Sequence, residues 1–258
     1  MKRIFAAVLL AAVLCLRVSA VQAPNVSANS AILYDASAGK VLWEQRSDER
    51  SLIASTTKIM TAFLVVQLCP MESVVTVPAE AVGTEGSSVY LKAGERLSVR
   101  DLLLGLMLSS GNDAAIALAM HTCGSVEGFV RLMNWEAEHL GLKNTRFANP
   151  NGLDDENNYS TAYDLACLTA VALQNERFAE IVVAKQAGIG GGRQLVNHNK
   201  LLWRIDGCIG VKTGYTKAAG RILVSAVRKN GRLLIAVTIH DGNDWADHAA
   251  LYDYGFAQ

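Results

Sequence analysis

Three short stretches of this sequence carry side chains whose types and spacing suit acyl transfer: Ser55-Thr56-Thr57-Lys58, Ser110-Gly111-Asn112 and Lys212-Thr213-Gly214. A serine hydroxyl attacks a carbonyl only when a base takes its proton, and a lysine amine can be that base if burial keeps it neutral. Ser55 and Lys58 are three residues apart at an expected helix start, so both face the same way. The positive end of the helix dipole would favour an attacking alkoxide there. Lys212 and Thr213 could hold a carboxylate, and Gly214, without a side chain, would let a substrate lie along the backbone. Each stretch alone also has an ordinary reading: a helix-capping serine with a solvated lysine, a loop between helices, and an exposed edge strand. Ser37-Ala38-Gly39-Lys40 and Ser27-Ala28-Asn29 repeat two of the patterns, so the order and surroundings of the three carry the weight.

The surrounding elements separate the copies from the set. Ala31–Tyr34 and Val41–Trp43 flank a turn-rich stretch and predict a β-hairpin, which puts Ser37 and Lys40 around a turn. Ser27 lies in a polar lead. Thr56–Leu68 reads as a mostly apolar helix ended by Cys69-Pro70, and Ser98 to Asp101 as a capping box opening a helix over Leu102–Leu108. Ser109–Asn112 breaks that helix, another begins at Asp113, and residues 126–141 and the stretch from Thr161 give further helices. The glycine-rich run Gly188–Gly192 reads as a loop or hairpin tip, because no Lys-Ser/Thr pattern of a phosphate loop follows. Leu223–Arg228 and Arg232–Ile239 are strands joined through Asn230-Gly231, the strongest short hairpin signal. Lys212 falls on the strand before them, and a helix over Trp245–Tyr254 follows. The expectation is an α+β fold: an antiparallel β-sheet built from both ends of the chain, flanked by helices, with an all-helical region beside it.

Lys2 and Arg3, the 13-residue apolar run Ile4–Leu16 and the small residues Val18-Ser19-Ala20 read as a signal peptide over residues 1–20. The run is short for a bilayer span, which takes roughly 20 residues; an uncleaved N-terminal anchor is the alternative. An exported, extracytoplasmic protein is expected, with residues 21–258 forming its catalytic domain. The chain has 24 basic and 24 acidic residues, which gives no electrostatic case for nucleic acid. Cys69, Cys123, Cys167 and Cys208 are widely spaced in apolar segments and read as free thiols more readily than as disulfides.

With their flanks, the motifs resemble the serine D-alanyl-D-alanine carboxypeptidases, the low-molecular-mass penicillin-binding proteins, over about residues 25–256. The resemblance extends to Ala54–Thr61, Ser109–Ala115, Phe147–Leu153, Tyr159–Asp164 and Gly210–Thr216. It implies a β-lactamase/transpeptidase-like fold and removal of the terminal D-alanine from peptidoglycan stem pentapeptides through an acyl-enzyme on Ser55. Lys58 is then the general base, Ser110 the proton relay and Asn112 the holder of the substrate amide. Lys212 and Thr213 contact the terminal carboxylate, with Gly214 and Tyr215 beside them, and the N–H groups of Ser55 and Tyr215 form the oxyanion hole. β-Lactams would acylate the same serine. No cofactor and no metal are implied.

Departures from the family pattern narrow this reading. Asn158 stands where many members have His, and Tyr215 where some do. The sequence ends soon after Tyr254-Gly255-Phe256, where many relatives continue into a β-rich domain and an amphipathic helix; neither that domain nor a C-terminal membrane anchor is expected. A D,D-endopeptidase acting on cross-links is the nearest alternative. A class A-like β-lactamase fits less well, because Gly111 stands in the second motif and only Asp154, Asp155 and Glu156 offer a loop carboxylate. The acidic stretch His240 to His248 matches neither an EF-hand nor H-E-x-x-H and reads as a strand end before an Asp244-capped helix. His121, His139 and His198 receive no catalytic role.

Overall fold

The computed structural model of the chain describes residues 22–258, so the expected signal peptide, residues 1–20, lies outside the described residues. The first hairpin forms as its alternation predicts: β1 (Ser30–Asp35) and β2 (Lys40–Gln45) pair antiparallel. Asp35 Oδ1 accepts the N–H groups of Ser37 and Ala38 in the connecting turn, which takes the Ser37/Lys40 pattern out of any helix. The two-residue β3 (Ser51–Leu52) then leads into a 3₁₀ turn, Ala54–Thr57, and the helix α1 (Lys58–Leu68). Every α1 residue from Lys58 to Val66 is buried, so this helix is a central strut and not an amphipathic surface element. Pro70 follows its end and cannot continue it.

Around α1 pack α2 (Val99–Leu108), α3 (Asn112–Cys123) and α4 (Val126–His139), with the short pair β4 (Val74–Thr76) and β5 (Arg96–Ser98) preceding α2. Ser98 caps α2 by accepting from Asp101 N, and the helix starts at Val99, three residues earlier than the sequence pattern indicates. Next come β6 (Tyr159–Ser160), which pairs with β3, and α5 (Ala162–Ala172), capped by Thr161. The sequence reading does not anticipate α6 (Glu176–Val183), although its cap Asn175 accepts from both Arg177 N and Phe178 N. The Gly188–Gly192 run is the tip between β7 (Gln186–Ile189) and β8 (Arg193–Val196). After α7 (Leu201–Arg204), the chain enters β9 (Cys208–Thr216), β10 (Gly220–Lys229) and β11 (Arg232–Ile239), and finishes with α8 (Asp244–Phe256). Asn230 and Gly231 both have positive φ, as a tight β10–β11 hairpin requires. The residue before α8 is Asn243, not Asp244; Asp244 instead accepts from Trp245 N within the first turn.

The main sheet has the order β2-β1-β11-β10-β9, so strands from the two chain ends meet where Ile32 pairs with Val237. Alternate residues serve two cores. Ala31, Leu33, Leu234 and Ala236 pack with Leu251 and Tyr252 of α8, whereas Ile32, Ile235 and Val237 join the larger helical core. The fold is therefore the expected α+β arrangement, with β9 at the sheet edge beside the 3₁₀ turn before α1. The cysteines Cys69, Cys123, Cys167 and Cys208 are free. Among the described residues, no helix is long and apolar enough to cross a membrane.

Between the sheet and α8 lies a buried polar chain. His248 Nδ1 and Ser225 Oγ are 2.6 Å apart, Ser225 Oγ and Tyr252 OH 2.6 Å, and His248 Nε2 and Thr238 Oγ1 3.1 Å. Burial holds His248 neutral down to about 3, whereas an unfolded histidine takes up a proton at about 6.5. The folded-state pKa is depressed, so the unfolded chain binds the extra proton and stability falls as pH drops between those values, by about 1.4 kcal/mol per pH unit from this group. Urea unfolding between about pH 6 and about pH 4 should therefore show a steeper loss in the wild type than in His248→Gln. Equal slopes would contradict it.

Candidate active site

The nucleophile candidate sits in a turn that the chain must strain to make. Ala54 has φ +44°, and Thr56 Oγ1 returns a hydrogen bond to Ile53 O across the 3₁₀ turn. Ser55 is therefore presented one residue after a left-handed kink and three before Lys58, the first residue of α1. Lys58 is fully buried, and its Nζ lies 3.0 Å from Ser55 Oγ, 2.7 Å from Asn112 Oδ1 and 2.5 Å from Asn151 O. Its pKa is held well below that of an ordinary lysine, first by burial and then by the charge of Lys212, with Asp113 opposing.

Asn151 belongs to the turn Asn149-Pro150-Asn151-Gly152, which the sequence marks only as a turn. Thr61 Oγ1 ties Pro150 O to α1 at 2.7 Å, and Asn149 Oδ1 accepts from Gly152 N at 2.7 Å. Gly152 has φ +87°, and a Cβ there would overlap Ala54 O and come within 2.9 Å of Ser55 N. The turn thus packs directly on the backbone that carries the serine. Asn158 adds a second tie, donating to Thr57 Oγ1 at 3.0 Å and accepting from Ala148 N at 3.2 Å.

The second motif bridges α2 and α3. Ser110 is buried with φ +61°, and Asn112, likewise buried, begins α3. Both ends of the Asn112 side chain are engaged: Oδ1 accepts from Lys58, and Nδ2 donates to Glu85 O at 2.6 Å. In this structure Asn112 therefore orients Lys58 and anchors the Glu85–Ser87 loop. Asp113 fixes the same loop by accepting from Ser88 Oγ, Val89 N and Leu91 N.

The third motif comes from the sheet edge. Lys212 is 1 % exposed, so this is no ordinary surface lysine; its Nζ donates to Thr213 O at 2.8 Å, and burial lowers its pKa to about 7. A Cβ on Gly214 would lie 3.3 Å from Ser55 N, which measures how closely β9 approaches the nucleophile turn. Tyr215 is exposed.

Two cavities flank Ser55. One, of about 630 Å³, is lined by Ser110, Thr213 and Tyr215 together with His198, Lys200 and Arg221. No sequence pattern assigns His198, Lys200 or Arg221 a role, and Arg221 reaches the site through long-range pairing: it is the β10 partner of Tyr215, and its guanidinium meets Asp244 of α8, which lines the same cavity, at 3.2 Å. Packing around the His198 ring and the charge of Lys212 lower its pKa. The other cavity, of about 560 Å³, is lined by Asn112, Asn151 and Gly152, and by Glu85, Asp154 and Lys217 at its rim. Ser55 and Tyr215 border both. Asp155 and Glu156 line neither cavity. Among the described residues, no group of three or more His, Cys, Asp or Glu could hold a metal ion.

The arrangement combines a hydroxyl, a desolvated amine in contact with it, and a cavity alongside that carries Lys200 and the Arg221–Asp244 ion pair, which is the equipment for acyl transfer. Comparison with known proteins agrees. The family described as D-alanyl-D-alanine carboxypeptidase matches residues 17–243. The chain is 36% identical over 243 residues to the D-alanyl-D-alanine carboxypeptidase DacF of Bacillus subtilis, covering 90% of this chain and 62% of that one. It is 41% identical over 233 residues to DacC of Escherichia coli, covering 85% and 58%. DacB2 of Mycobacterium tuberculosis is 35% identical over 245 residues, covering 91% of this chain and 84% of the relative. The chain thus spans about three-fifths of the length of the first two relatives. Among solved structures, the Streptomyces K15 DD-transpeptidase superposes with a TM-score of 0.87 at 32% identity, over 92% of this chain and all of that one. Penicillin binding protein 6B from Escherichia coli gives 0.86 at 34% identity, over 92% and 80%. By sequence, fold and the disposition of its three motifs, this chain belongs to the D-alanyl-D-alanine carboxypeptidase family.

Proposed function

We propose that the protein is an exported serine D-alanyl-D-alanine carboxypeptidase that removes the terminal D-alanine of peptidoglycan stem pentapeptides. The observation that carries this reading is the setting of Lys58. A neutral amine has two N–H donors and one lone pair. With Asn112 Oδ1 and Asn151 O as the two acceptors, the lone pair is left facing Ser55 Oγ. Lys58 then takes the Ser55 proton as the oxygen attacks the penultimate D-alanine carbonyl. The N–H groups of Ser55 and Tyr215 stabilise the oxyanion. Ser110 passes the proton to the departing amine, the C–N bond breaks, and D-alanine leaves an ester on Ser55 that water hydrolyses. Lys212 and Thr213 hold the substrate's carboxylate, with Gly214 leaving the edge of β9 open to it. β-Lactams would form the same ester.

The two lysines set the pH dependence. Lys58 must be neutral, so kcat/KM falls toward acid. Lys212 must be charged to bind a carboxylate, so kcat/KM also falls as pH rises past about 7. Bound carboxylate raises the Lys212 pKa, which should move the alkaline limb of kcat upward relative to that of kcat/KM. A substrate amidated at its C-terminus should lack that alkaline limb.

Incubation with a pentapeptide ending in D-Ala-D-Ala should release D-alanine, and benzylpenicillin should leave a long-lived adduct that maps to Ser55 by mass spectrometry. Rapid turnover of the β-lactam, or an adduct elsewhere, would overturn the proposal. The cavity of about 630 Å³ favours one second reading, D,D-endopeptidase activity, because that volume falls in the range of drug-sized ligands, about 300–1,000 Å³, and accepts a leaving group larger than D-alanine. Monomer formation from cross-linked muropeptides tests that reading directly.

A further inference from the structure

The glycine run Gly188–Gly192 lines neither cavity, and it ends on Arg193, the first residue of β8. The Arg193 guanidinium donates five hydrogen bonds, as many as it has N–H groups. Nε reaches Val89 O at 2.7 Å, Nη2 reaches Tyr90 O at 2.9 Å, and Nη1 reaches Gly190 O at 2.7 Å. Nη1 and Nη2 also take the two oxygens of Glu95, at 2.6 and 2.7 Å. The ion pair explains a glycine of the tip. A Cβ on Gly191, at φ +74°, would overlap Arg193 Nη1 and lie 2.8 Å from Glu95 Oε1.

These bonds grip the loop that borders Ser55. Asp113 holds its N–H side, accepting from Val89 N and Leu91 N, and Arg193 holds the carbonyl side. Tyr90 stands between at φ +58° and is 82 % exposed, so its own ring does not pack this backbone in place. The other end of the loop is bonded to Asn112. Ser87 O accepts from Asn112 N at 2.7 Å, and Glu85 O from Asn112 Nδ2 at 2.6 Å. With Nδ2 tied to Glu85 O, the Asn112 amide keeps its oxygen on Lys58 Nζ, 2.7 Å away.

We propose that Arg193 is a positioning residue for acyl transfer: by fastening the 85–91 loop it keeps Asn112 on Lys58 and the Lys58 lone pair on Ser55. This rests on the reading of Lys58 as the base. A loosened loop releases the Asn112 amide and lets water reach Lys58. The amine then loses its orientation, and its pKa climbs toward that of an ordinary lysine, because burial is the largest cause of its depression. The charged groups that act on Lys58 are Lys212 of β9 and Asp113 of α3. Loss of the Arg193 cation near Asp113 leaves that carboxylate less compensated, which raises the Lys58 pKa in the same direction.

The test compares Arg193→Ala and Arg193→Lys with the wild type in benzylpenicillin acylation of Ser55. Mass spectrometry follows the adduct against pH, well below the melting temperature of variants shown to be folded by circular dichroism. Acylation by Arg193→Ala should slow about 10²-fold, the cost of misplacing a reacting group by about 1 Å. The half-saturating penicillin concentration should change little. The acid limb should move to higher pH, since a base of higher pKa becomes neutral only there. Arg193→Lys keeps the charge but not the fork, so it should share both changes, and it carries the test if the alanine variant does not fold. Guanidinium chloride far below denaturing concentration should restore part of the rate to Arg193→Ala, and sodium chloride at the same ionic strength should not. An unmoved acid limb in a folded variant, or a loss that guanidinium leaves untouched, would overturn the positioning role and leave the carboxypeptidase reading standing. No acylation of the wild type would overturn both.

Discussion

Lys58→Ala is expected to lower both penicillin acylation of Ser55 and D-alanine release on the order of 10⁴-fold, the upper end of what a positioned general base supplies. The size follows from the environment. Among the described residues, Lys58 is the one amine hydrogen-bonded to Ser55 Oγ, and it is fully buried. Lys212, the other buried lysine among the described residues, donates to Thr213 O instead. Stability should change much less than activity. The variant removes a costly buried amine but leaves Asn112 Oδ1 and Asn151 O without their donor, a loss of about 1–3 kcal/mol for each orphaned acceptor. Circular dichroism and a melting curve establish that the variant is folded, and electrospray mass spectrometry after penicillin exposure reads the acylation. A folded Lys58→Ala protein that acylates at the wild-type rate would remove Lys58 from the mechanism.

Gly152→Ala adds only a methyl group, yet it is expected to slow acylation about 10²-fold, the cost of misplacing a reacting group by about 1 Å. The new Cβ would overlap the Ala54 carbonyl, which is backbone and cannot rotate away, and would press within 2.9 Å of Ser55 N. The φ of +87° penalises any side chain there as well. Ala54 already stands at φ +44°, so the nucleophile turn has little room to yield without shifting Ser55 relative to Lys58. Acylation should slow with little change in the penicillin concentration giving half-maximal rate, because neither Lys212 nor Thr213 moves. Stopped-flow acylation well below the melting temperature separates this from simple unfolding; an unchanged acylation rate would mean that the 149–153 turn is a bystander.

Local patterns made much of this molecule legible. Asn230-Gly231 announced its hairpin because both residues tolerate positive φ, and Ser98 announced a helix because its hydroxyl caps one. The chemistry of Ser55 and Lys58 was readable from a three-residue spacing at a helix start, since that geometry is set within one turn. Contacts across long stretches of chain were not. Nothing near Gly152 in the sequence says that it lies on Ala54, and nothing near Asn112 says that Glu85 O occupies its amide nitrogen. Arg221 looks like one more polar strand residue until its register against Tyr215 places it in the site. The helix α6 has no legible sequence signature although Asn175 caps it, because a single eight-residue segment carries too few turns to establish a period.

The meeting of the first and last strands in one sheet also fixes an order of events in time. β1 leaves the ribosome early, but its register partner β11 is made only after every helix from α1 to α7 and after β10. Closing so long a loop is slow and must precede the reward of pairing. Lys212 lies on β9, which joins the sheet through β10 and β11, so Ser55 gains this neighbour only after those strands are made. A chain made only as far as α1 therefore holds Ser55 and Lys58 but not the cleft, which needs β9 beside the nucleophile turn.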